Sequence, residues 1–108
     1  MPASLLEEVF ALNEELDEVR DMRNGGAPED EWRARLAAAA APIEAKRAEH
    51  EAQLAELSTR WDALAADDAT GRSAVLGALR ERVLERNYIN NLLATIEREA
   101  TGAGGPSL

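Results

Sequence analysis

Leu5, Val9, Leu12, Leu16 and Val19 recur at spacings of four and three, the interval that gathers side chains on one face of an α-helix. The spacing predicts a first helix over about residues 4–23. Ser4 with Glu7 fits a capping box, in which the hydroxyl accepts from an early backbone N–H and the carboxylate reaches back. Asn24, Gly25 and Gly26 stop the helix, because glycine accepts the left-handed conformation that closes a helix end. Pro28 followed by Glu29, Asp30 and Glu31 reads as a new helix start, with carboxylates complementing the positive end of the macrodipole.

The second apolar stripe includes Trp32, Leu36, Ile43, Leu54, Leu57, Trp61 and Leu64, which predicts a helix over about 29–64. Pro42 interrupts it. An interior proline costs about 3 kcal/mol, so a kink or a break is expected near 42. Residues 65–73 read as a loop, with Asp67, Asp68, Thr70 and Gly71 as turn formers and Ser73 as the next cap. A third stripe through Val75, Leu76, Leu79, Val83, Leu84, Ile89, Leu92, Leu93 and Ile96 predicts a helix over 73–99. The glycine-rich segment 101–108 reads as a disordered tail. The pattern is all-α: one domain over 1–100, a three-helix antiparallel bundle with coiled-coil-like packing.

Composition agrees. Alanine is abundant and aromatics are only 4% of the 108 residues, which favours helices over strands. A formal net charge of −9 repels phosphate backbones and anionic membrane surfaces and attracts basic protein partners. With no cysteine, disulfides, thiol catalysis and thiolate ligation of metals or clusters are excluded for this sequence. The absence is compatible with the cytosol, and a cytoplasmic location is expected. No apolar run approaches the roughly 20 residues that span a bilayer.

At 100° per residue, Leu6 and Phe10 stand about 100° to 140° round from Leu5, outside the core stripe. Glu7, Glu14 and Glu18 cluster opposite that stripe. Two readings are open: Leu6 and Phe10 pack under the end of another helix, or they form an exposed apolar patch with an acidic border for a partner. Leu84, Tyr88 and Leu92, at steps of four, turn away from the Leu76, Leu79 and Val83 face. Tyr88 suits an interface and suits a core edge equally.

The segment from Leu5 to Glu18, two large apolar residues followed by Phe10, Asn13, Glu14, Leu16 and Glu18, resembles the opening of the C-terminal domain of the HscB iron–sulfur co-chaperones. Arg86-Asn87-Tyr88-Ile89-Asn90-Asn91-Leu92-Leu93 resembles that family's last helix. The matching helices cover most of residues 4–99. The resemblance implies a three-helix bundle that binds an IscU-type scaffold and so delivers it to a DnaK-type chaperone, HscA. It also carries the contact surface over to Leu6, Phe10 and Tyr88 as apolar contacts, with Glu14 and Glu18 as an acidic rim. Glu7 departs from the pattern, standing where the family commonly has another apolar contact, and the 65–73 loop is longer than usual. HscB proteins begin with a J-domain bearing a His-Pro-Asp tripeptide. The present sequence has none, so it resembles the client-binding half alone, without ATPase stimulation.

No catalytic constellation stands out. The only histidine, His50, occupies a stripe position between Glu49 and Glu51 and reads as a polar interruption of the helix seam rather than a metal ligand. Adjacent carboxylates such as Glu14 and Glu15 diverge by 100° on a helix and make no acid/base dyad. Arg80, Arg82 and Arg86 lie among acids and read as a solvated face. No enzyme activity, metal or cofactor is expected. The rival to a scaffold-binding domain is a self-associating structural module, a homo-oligomer joined through the Leu6/Phe10 patch or the alanine run of helix two.

Overall fold

A computed structural model describes residues 3–101. A short 3-10 turn at Ala3–Leu5 leads into α1 (Leu6–Asn24), α2 (Glu29–Ala63) and α3 (Ala69–Thr101). Among the described residues there is no strand, and the three helices pack as a bundle, α2 mainly on α3 and α1 mainly on α2. The segment read as a tail, 102–108, lies outside the described residues.

The core follows the first stripe closely. Leu5, Val9, Leu12, Leu16 and Val19 are all buried against Trp32, Leu36, Ala40 and Ile43 of α2 and Ile89 and Ile96 of α3. Helix length decides where this core stops. With 19 residues, α1 is about half as long as α2, which has 35. It covers only one end of the α2–α3 pair. Beyond His50 and Glu85 the two long helices continue as a two-helix arm, giving extents of 63 × 24 × 24 Å. No apolar residue of that arm is fully buried.

The turns show which local signals prevail. After α1, Gly26 has a φ of +83°. Gly26 N–H donates to the Arg23 carbonyl at 3.2 Å and Ala27 N–H to the Met22 carbonyl at 2.9 Å. This is a Schellman closure, with glycine at the one position that needs a left-handed backbone.

Four expectations are corrected. The Ser4 and Glu7 capping box is absent: Leu5 caps α1 without a side-chain bond. Ser4 lies in the 3-10 turn and borders one hollow with Glu85. Of the kink or break expected near 42, the break is not found: α2 is one helix through Pro42. Pro42 and Ala38 are exposed, so water can satisfy the Ala38 carbonyl, while buried Ala40 and Ile43 hold the helix to the core on either side. The loop is short and α3 begins at Ala69, not at 73. Asp68 is its cap, accepting from Gly71 N–H at 2.8 Å, and Ser73 lies one turn inside. A Cβ on Gly71 would meet Asp68 Oδ2 at 2.6 Å and Leu64 Cδ2 at 3.0 Å, so the cap needs glycine there.

Candidate functional site

Two ion-pair clusters fix the register of the helices and so the placement of the candidate residues. At one end Glu99, buried, receives Arg20 Nη2 at 2.7 Å, Arg20 Nε at 2.9 Å and Arg23 Nη2 at 3.1 Å. Burial pushes the Glu99 carboxyl up, but the hydrogen bonds and charges of Arg20 and Arg23 outweigh it and hold the group below the usual carboxylate range. At the other end Ser4 and Glu85 line one hollow. Helices α1 and α3 therefore run parallel, and Leu6 and Phe10 stand level with the turn of α3 that carries Tyr88. On the far shoulder Arg35 pairs with Glu15 at 2.7 Å and Lys46 with Glu8 at 3.5 Å, joining α1 to α2. The Arg35 hydrogen bond holds the Glu15 carboxyl below its usual range.

Leu6 is 40% exposed and Phe10 60%. Neither packs under a helix end, because the stripe of five residues already fills the groove. Tyr88 is half-buried and packs against the edge of the core. Glu14 and Glu18 are exposed, one to two turns beyond Phe10. Glu18 lies 4.0 Å from Arg35, toward α2. The five residues therefore do not converge on one point. Leu6, Phe10 and Tyr88 share the side of α1 that faces α3, whereas Glu14 and Glu18 line its outer back. Leu84, one turn before Tyr88, is 68% exposed, the most exposed of the large apolar side chains described. It joins a shallow hollow with Ala3, Ser4 and Glu81. The i, i+4 spacing of Leu84 and Tyr88 placed them on one face, but the spacing alone does not tell how far a side chain stands from water.

His50 is no mere interruption of the seam. It is 4% exposed, and its Nε2 lies 2.5 Å from Glu85 Oε2. Nδ1 lies 2.9 Å from the Lys46 carbonyl, which can only accept, so Nδ1 carries hydrogen. Nε2 also lies 3.3 Å from Arg82 Nη1. Arg82 donates to Glu85 at 3.2 Å and to Gln53 at 3.1 Å, so it belongs to this network and not to a solvated face. Burial pushes the Glu85 carboxyl up, but the His50 hydrogen bond, Arg82 and Ser4 together hold it below the usual range. The network is closed by its own partners; Glu85 borders the hollow beside Leu84, and Arg82 and Gln53 border a second one between the arm helices. Among the described residues, no group of three or more His, Asp or Glu could hold a metal ion, and no helix is long and apolar enough to cross a membrane.

No family model, curated protein or solved structure matches this chain.

Proposed function

We propose that this chain is a protein-binding module, not an enzyme, that holds an iron–sulfur scaffold of the IscU type, as the client-binding domain of an HscB-like co-chaperone does. The observation that carries the proposal is the exposure of Leu6 and Phe10 on the first turns of α1, level with Tyr88. Large apolar side chains held in water on a rigid helix lose little on docking and gain by burial. The apolar contact is assigned to Leu6, Phe10 and Tyr88. Glu14 and Glu18 supply an acidic margin that favours a basic partner and speeds encounter more than it tightens the complex. Delivery to a DnaK-type chaperone is then indirect, through the bound scaffold, and the setting is cytoplasmic.

Isothermal titration with apo IscU-type scaffold tests the proposal. Micromolar binding that weakens tenfold or more in Phe10→Ala, about 1.4 kcal/mol, supports it. Unchanged affinity in both Leu6→Ala and Phe10→Ala removes the site.

A further inference from the structure

The two-helix arm carries a second surface, on the flank away from α1. On α3, Leu76, Leu79 and Val83 stand about 80–140° round from Ile89, opposite to the side where Glu85 and Glu99 meet α1. On α2, Ala55, Ser58 and Asp62 stand about 60–120° round from Ile43, opposite to Lys46 and Arg35, which meet α1. Leu76 is 39% exposed, and a groove runs between Ser58, Trp61, Asp62, Leu76 and Leu79.

The charges of this flank are unpaired. Arg72 makes no ion pair, whereas Arg20, Arg23, Arg35 and Arg82 all do. Arg72 and Arg86 each bury an Nε with no acceptor. Arg72 stacks on Trp61 with its guanidinium carbon 4.9 Å from the ring centre. Asp62 on α2 is likewise without a cation.

The arrangement is complementary to itself. The contacts of His50 with Glu85, Gln53 with Arg82 and Trp61 with Arg72 set the level of α2 against α3. By that register Ala55 lies level with Leu79, Ser58 with Leu76 and Asp62 with Arg72. A two-fold axis parallel to the helices lays α2 of one copy over α3 of the other at the same level. Leu79 and Leu76 then face Ala55 and Ser58, Val83 faces the aliphatic stem of Glu51, and Asp62 faces Arg72. The paired arms make four helices around a shared core, which supplies the burial that a lone pair of helices lacks.

We infer that the chain forms a parallel two-fold dimer through the arm flank bearing Leu76, Leu79 and Val83, opposite α1. The dimer leaves Leu6 and Phe10 free on the outside of each copy, so it stands or falls independently of scaffold binding.

The absence of cysteine makes a clean test possible. The full chain is measured by light scattering across a micromolar concentration series, and Ser58→Cys and Leu76→Cys variants are treated with a short bismaleimide, alone and mixed. A dimer is expected in wild type and in Phe10→Ala. Leu76→Glu is expected to be monomeric with unchanged helical circular dichroism. Cross-linking is expected in the mixture and not in either variant alone. A wild-type chain monomeric throughout the series overturns the inference. So does cross-linking of Ser58→Cys with itself, since only an antiparallel arrangement sets α2 over α2.

Discussion

Replacing Glu85 by alanine strips the one anion from a buried imidazole. The side chains of His50 and Glu85 are 6% and 9% exposed and lie 2.5 Å apart. Breaking a buried pair from one side costs about 3–5 kcal/mol. A domain of this size has about 5–15 kcal/mol in all, so Glu85→Ala removes a large share of it. At roughly 4–8 °C per kcal/mol, the melting temperature should fall by about 12 °C or more.

Removing both partners should do far less harm. In His50→Leu with Glu85→Leu no uncompensated charge remains, and Arg82, 23% exposed at its side chain, keeps Gln53 and Glu81. The double variant should unfold within about 1 kcal/mol of wild type, or above it. Urea unfolding followed by circular dichroism gives all three values. If Glu85→Ala costs less than about 1 kcal/mol, or if the double variant is less stable than Glu85→Ala, the pair is not the closed, buried unit described above.

The carboxyls of Glu85 and Glu99 are held below their ordinary value of 4.5 in the folded chain. A depressed folded value stabilises above the unfolded value and is lost as pH falls through the folded one. Urea midpoints should therefore decline below about pH 4.5, and Glu99→Gln should flatten that decline. Pro42→Ala should raise stability by about 1–3 kcal/mol, since the helix already runs through this exposed position; an unchanged melting temperature would contradict that. Asp68→Ala should cost about 1 kcal/mol, and Gly71→Ala at least as much, because its Cβ displaces the capping carboxylate. Thermal melts of both variants check this.

The bundle is legible because the Leu5 to Val19 stripe has a single periodicity and every member finds the core. Glycine at 25 and 26 marks the end of α1 for the same local reason. Pro42 misleads, because propensity describes an isolated helix, whereas Ala40 and Ile43 fasten this one by tertiary contact. Asp68 and Ser73 are both good caps. The choice between them rests on Gly71, whose lack of a Cβ admits the Asp68 carboxylate and lets α3 start earlier. In the candidate site, the wheel separates Leu6 and Phe10 from the core but not their depth. Their exposure follows from how the Leu5 to Val19 stripe fills the groove between the other two helices, a property of the whole fold. The His50, Glu85 and Arg82 network was hidden for the same reason: its members come from different helices, and no spacing along the chain links 50 to 85.

The most direct test of scaffold binding is a map of backbone amide shifts as apo IscU-type scaffold is added to the isotope-labelled chain. Binding through the proposed face predicts that the largest changes fall around Leu6, Phe10 and Tyr88, with smaller ones at Glu14 and Glu18 and none at the far end of the arm. Changes centred on residues 58–80, or no change at saturating scaffold, would contradict it.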